Sequence, residues 1–135
     1  NDFMWQEYAL PYALYREAGF EVKVAGRFKE TVSPDRRNRV QGNSLYSTEA
    51  SPITVDMTFD EVHVDDFDAI TFVAGNGAWH DFFPNDTVHR ILATALRKEK
   101  IVGLLCASTG LLGIAGNYDG TQKPLAEGRK VVGYY

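Results

Sequence analysis

Two short apolar runs with an amphipathic helix between them constrain this chain more than any other feature. Ala69 to Ala74 (Ala-Ile-Thr-Phe-Val-Ala) and Ile101 to Leu105 lack polar alternation and are bounded by polar residues and glycine. Runs of that form are strands of a sheet covered on both faces. Between them, Pro84-Asn85-Asp86 opens a helix whose apolar face is Val88, Ile91, Leu92, Ala95 and Leu96, the three-and-four spacing of one helical side. Arg97, Lys98 and Lys100 gather at its end, where unpaired carbonyls favour positive charge. Strand, helix and strand joined by short links indicate a parallel sheet flanked by helices.

The flanking sequence extends the same alternation. Trp5, Tyr8, Tyr12 and Tyr15 share one face of a helix that stops at Ala18-Gly19, and Pro11 inside it predicts a kink or a late start. Phe20 to Ala25 reads as the next strand. Residues 26–52 are polar and aperiodic, long for a connection in a compact domain, so they form a functional excursion or hold a short hairpin. The bases within them (Arg27, Lys29, Arg36, Arg37, Arg39) alternate with Glu30 and Asp35, which favours a solvated face over an anion site. Asp56, Asp60, Glu61, Asp65, Asp66 and Asp68 lack the glycine-centred spacing of a calcium loop and read as a polar approach to the strand at Ala69. Beyond Cys106 to Gly110 a short helix follows at Leu111 to Ala115, then a turn-rich stretch and a last strand over Lys130 to Tyr135.

At 135 residues, 44% apolar and 24% charged, the chain has the composition of one globular domain. A net charge of −4 argues against a dedicated nucleic-acid binder. No apolar run approaches the roughly 20 residues of a membrane span, and the first residues lack the basic and apolar regions of a signal peptide. The single cysteine, Cys106, cannot form an intrachain disulfide, so a reducing, cytoplasmic setting is expected.

Cys106 is also the most informative position. It stands between an apolar strand and a small-residue helix start, the sequence form of a nucleophile elbow. A tight turn there pushes the side chain out at the sheet edge, and free N–H groups of the following helix would lower a thiol pKa that is ordinarily about 8.5. A buried, inert cysteine fits the local pattern equally well. Gly75-Asn76-Gly77 follows the preceding strand and ends at the same edge, where ligands of open α/β sheets bind. A dinucleotide fingerprint would need a third glycine where His80 stands, so the loop suits an oxyanion hole better, with backbone N–H groups of Gly75 and Ala107.

Taken together, these residues resemble the ThiJ/PfpI superfamily, the class I glutamine amidotransferase-like group that includes deglycases and glyoxalase III-like proteins. The resemblance is carried by Trp5-Gln6-Glu7-Tyr8-Ala9-Leu10-Pro11, Glu17-Ala18-Gly19-Phe20-Glu21-Val22, Asp66-Phe67-Asp68-Ala69-Ile70, the elbow at Cys106, and Pro124-Leu125 with Gly128 to Tyr134. It implies a flavodoxin-like three-layer α/β/α sandwich with a mainly parallel sheet. Residues 1–135 would be a single, partial domain, with the family's first strand and its C-terminal elements outside this sequence.

Carried over, Cys106 is the nucleophile, Glu7 its partner carboxyl, and Gly75 and Ala107 the oxyanion donors. Glu7, when protonated, would hydrogen-bond the thiolate and later shuttle protons. The histidine that many relatives place after the cysteine is Ala107 here, and a more distant one is replaced within Gly133-Tyr134-Tyr135. His80 is the accessory candidate; His63 and His89 are assigned to the surface or a helix face. The expected substrate is a small α-oxoaldehyde, handled as by glyoxalase III or a deglycase, without metal or organic cofactor. Alternatives are a redox-sensing, chaperone-like stress protein, a cysteine amidohydrolase or isonitrile hydratase, and a non-catalytic interaction module. Neither nucleic acid nor membrane is an expected partner; a homodimer using the Trp5–Tyr15 stripe is.

Overall fold

Aromatic residues at helical spacing set the first element. In the computed structural model, which describes residues 2–35, 50–116, 121 and 123–132, α1 spans Trp5–Glu17. The helix starts at Trp5 and runs through Pro11, so Pro11 does not delay its start. Trp5 is buried, and Phe3, Trp5, Tyr8 and Tyr12 form a continuous ladder, with Tyr8 and Tyr12 stacked at 5.2 Å between centroids. The stripe is therefore largely internal to the chain, leaving Leu14 and Tyr15 as the exposed apolar end of α1. Burial, then Tyr12 and Asp56, push the Tyr8 hydroxyl up to about 12. Gly19 ends the turn at φ +88°, a conformation that glycine adopts without a Cβ clash.

The predicted strand over Phe20 to Ala25 shrinks to β1, Ala25–Gly26, paired in parallel with β4, Met57–Thr58. Among the described residues, Glu21 to Val24 have no ladder partner, and alternation alone does not make a strand. Within the long polar stretch, β2, Thr31–Val32, pairs antiparallel with β3, Ile53–Thr54, which lies just beyond its end. Arg36, Arg37 and Arg39 lie outside the described residues. Of the other bases in that cluster, Lys29 pairs with Glu61 at 2.6 Å and Arg27 approaches Asp81 at 3.9 Å.

The carboxylates of residues 56–68 mostly serve the backbone and neighbouring side chains. Asp56 accepts the Val24 N–H, Asp60 the Thr87 hydroxyl, Glu61 the Thr58 N–H, and Asp65 pairs with Lys98. Among the described residues, no cluster of three His, Cys, Asp or Glu side chains is arranged to hold a metal ion.

The two apolar runs become β5, Ala69–Phe72, and β6, Ile101–Leu104, which pair in parallel with Ala69 opposite Ile101 and Phe72 opposite Leu104. They are not covered throughout, as expected of a fully buried pair: Ile101 is 73% exposed and Ala69 is exposed too. The short α2, Ala78–Asp81, follows the glycine loop. Next comes α3, Asp86–Arg97, where the Asn85 side chain caps by accepting from Thr87 and Val88 N–H. Val88, Leu92 and Ala95 of α3 meet Phe72, Leu111 and Leu125 in the core. His89, assigned from sequence to the surface or a helix face, is 8% exposed, with Nε2 unpartnered among the described residues. It borders the apolar face closely enough to be covered along with it. His63 is exposed.

After β6, Cys106–Gly110 form a 3-10 turn and α4 spans Leu111–Ile114. The chain then folds back, with Leu125 N–H on Ala115 O and Ala126 N–H on Leu112 O. The expected last strand is not formed at 130–132, which are irregular and exposed; residues 133–135 lie outside the described set. No helix among the described residues is long and apolar enough to cross a membrane. The architecture is mixed α/β with parallel strand pairs and flanking helices.

Candidate active site

Cys106 follows directly on the last residues of β6 and takes φ +51°, one of three non-glycine residues in the left-handed region among those described. That conformation costs an ordinary side chain about 1–2 kcal/mol, so local bonds must hold it. Those bonds come from the two residues that follow Ala107. The Ser108 side chain is fully buried. Its oxygen accepts Leu105 N–H at 2.8 Å, and its one hydrogen serves the Leu105 and Phe72 carbonyls, 2.7 and 2.9 Å away. Thr109 Oγ1 donates to the Cys106 carbonyl at 2.8 Å. The ends of β5 and β6 and the elbow between them are thus tied by hydroxyls.

Glu7 reaches this point from the first turns of α1. Its Oε2 accepts Ala74 N–H at 3.1 Å, just beyond β5, and its carboxyl is near enough to the Cys106 thiol to raise its pKa. Pro11 stands four residues on and has no N–H to give the Glu7 carbonyl. Ala74 is held on its other side as well, its carbonyl taking Met4 N–H at 2.7 Å. One residue therefore fixes both the start of α1 and the carboxyl that α1 carries.

The glycine loop completes the arrangement. Gly75 sits at φ +126°, and a Cβ there would lie 2.5 Å from Asp2 O and 2.6 Å from Met4 N. Only glycine lets residues 2–4 run this close to the loop, where Phe3 bridges both Gly75 and Pro34. The Ala107 N–H acts on the Cys106 thiol so as to lower its pKa. Glu7 and the Ala107 N–H both act on the thiol, while His80, on α2, is exposed.

The electrostatics correct one expectation. Burial pushes the Cys106 thiol up, the Ala107 N–H opposes this, and the Glu7 carboxyl adds to the rise. The elbow was expected to lower it. A single short turn offers few free N–H groups, and here they are outweighed by desolvation and an adjacent carboxylate. Sequence reasoning missed Ser108 and Thr109. Their signal was present, because hydroxyl residues at a turn start commonly bond nearby backbone. An open groove of about 350 Å³ between Phe59–Asp65 and α3 includes neither Cys106 nor Glu7.

The DJ-1/PfpI family model matches residues 1–123. A ThiJ/PfpI domain protein from Brachyspira murdochii superposes with a TM-score of 0.69 at 21% identity, over 83% of this chain and 57% of that one. For glyoxalase III from Candida albicans the values are 0.71 and 19%, over 98% and 59%. A DJ-1 superfamily protein from Agrobacterium tumefaciens gives 0.64 and 22%, over 85% and 54%. No curated protein matches the sequence. The parallel α/β architecture is flavodoxin-like, and the chain belongs to the DJ-1/PfpI family. It spans between 54% and 59% of the length of these three solved structures.

Proposed function

We propose that the protein is a cysteine-dependent enzyme acting on small α-oxoaldehydes, in the manner of a glyoxalase III. The observation that carries this reading is the Glu7 carboxyl, anchored on the Ala74 N–H at the end of β5, acting on the Cys106 thiol at the elbow. Glu7 takes the thiol proton as sulfur attacks, so no standing thiolate is needed and a raised thiol pKa is no obstacle. With methylglyoxal, a carbon–sulfur bond forms at the aldehyde carbon and its oxygen becomes a hydroxyl, giving a hemithioacetal. Gly75 and Ala107 N–H groups steady the developing oxyanion. Having passed the thiol proton to that oxygen, Glu7 carries the proton from the former aldehyde carbon to the former ketone carbon, while the hydroxyl proton passes to the ketone oxygen. The first is oxidised to a thioester and the second reduced to an alcohol, with no external oxidant. Water cleaves the thioester, releasing lactate and the thiol.

Support also comes from the glyoxalase III neighbour, similar in fold at low identity. The raised thiol pKa weighs against the oxidation-sensor alternative, because peroxide reacts with the thiolate. The test is lactate formation from methylglyoxal by the parent, Cys106→Ser and Glu7→Gln. Turnover in the parent that falls by at least about 10²-fold in each variant is expected. Parent turnover surviving Cys106→Ser rules the reading out, and so does a folded parent that makes no lactate.

A further inference from the structure

The orientation of a side chain at a turn is set by the two peptide planes on either side of its Cα. For Cys106 these planes contain the Leu105 carbonyl and the Cys106 carbonyl. The first is gripped by Ser108, whose Oγ lies 2.7 Å from Leu105 O and whose backbone N–H reaches the same oxygen at 3.0 Å. The second is gripped by Thr109, whose Oγ1 donates to Cys106 O at 2.8 Å. Fixing both planes fixes φ and ψ together, and the angle fixed is the left-handed φ of +51°.

We infer that Ser108 and Thr109 form a two-hydroxyl clamp that holds Cys106 in its left-handed conformation and thereby aims the thiol at Glu7. Both act through Cys106, so they are positioning residues. The second plane also carries the Ala107 N–H, which acts to lower the thiol pKa, so Thr109 sets that donor as well. Ser108 anchors the clamp to the scaffold, because its hydroxyl also reaches Phe72 O at the end of β5. Without the clamp, Cys106 relaxes toward the right-handed region that L-residues prefer, and the thiol turns away from both Glu7 and Ala107. The inference deepens the proposed function, since it rests on the pairing of Cys106 with Glu7.

The test reads the thiol and not turnover, so failure of the clamp and failure of the proposed reaction are distinguishable. The rate of Cys106 alkylation by iodoacetamide is followed against pH, with and without Glu7→Gln, in the parent, Ser108→Ala, Thr109→Val and Thr109→Ser. In the parent, Glu7→Gln lowers the midpoint by removing a carboxylate that raises it. In Thr109→Val that shift is at least halved, and in Ser108→Ala likewise, whereas Thr109→Ser keeps the hydroxyl and restores most of it. Thr109→Val preserves shape at a part-buried position, so it decides the matter if loss of the buried Ser108 hydroxyl unfolds the chain. An equal Glu7→Gln shift in the parent and in Thr109→Val overturns the clamp. If Glu7→Gln does not move the parent midpoint, the pairing with Glu7 fails. The clamp is then overturned by a Thr109→Val crystal structure in which Cys106 keeps its left-handed φ.

Discussion

Gly75 shows how one missing side chain assembles a site. The Asp2–Met4 backbone lies where a Cβ on residue 75 would stand, and Met4 is the residue before α1. A Gly75→Ala substitution must displace that arm, and with it the carboxyl of Glu7. We expect a loss of about 1–3 kcal/mol, read as a lower urea midpoint. Cys106 alkylation should at the same time lose its dependence on Glu7. Cys106 and Glu7 were readable at this scale, the first from its place between strand and small-residue turn, the second only from the family resemblance. A glutamate in a first helical turn is otherwise an unremarkable acid. The hydroxyls after the cysteine were readable in principle but needed atomic distances to show which carbonyls they serve.

Helix α3 was the most readable element, because its cap, its apolar face and its terminal bases each specify the same segment. Asn85 caps two N–H groups, and Asn85→Ala should cost about 1 kcal/mol, seen as a lower melting temperature with the site's alkylation profile unchanged. Strands were less readable for a physical reason. Phe20 to Ala25 carry the right alternation, but a strand exists only where another backbone pairs with it, and the pairing observed is limited to Ala25–Gly26 opposite Met57–Thr58. Exposure of Ile101 has the same origin, since a run of apolar residues records what a strand can bury and not which neighbour is present to cover it.

Across the whole molecule, several links between distant segments are exposed ion pairs. Lys29 to Glu61 joins the bend before β2 to the turn after β4, and Lys98 to Asp65 joins the end of α3 to the approach to β5. Lys29 and the Thr58 N–H hold the Glu61 carboxyl down to about 2, and Lys98 lowers Asp65. A carboxylate depressed on folding stabilises above its ordinary pKa and loses that contribution as pH falls through the folded value. Stability should therefore decline between the ordinary Glu61 value of 4.5 and about 2. The decline should be modest, and smaller still in molar salt, where screening acts within about 3 Å; urea midpoints across that range measure it. A parallel sheet flanked by helices was readable from one strand–helix–strand unit, because a parallel pair with a helical crossover admits few global arrangements. The flavodoxin-like topology was implied only by the family resemblance.

The Cys106–Glu7 pair joins two residues far apart along the sequence. During synthesis the acid emerges well before the thiol, so the pair is assembled by tertiary closure and never by local folding. Until the β6 turn leaves the ribosome, the nascent protein has its aromatic helix and glycine loop but no partner for the carboxylate. A product cut short before that turn lacks the thiol, so the proposed chemistry depends on translation passing the β6 turn.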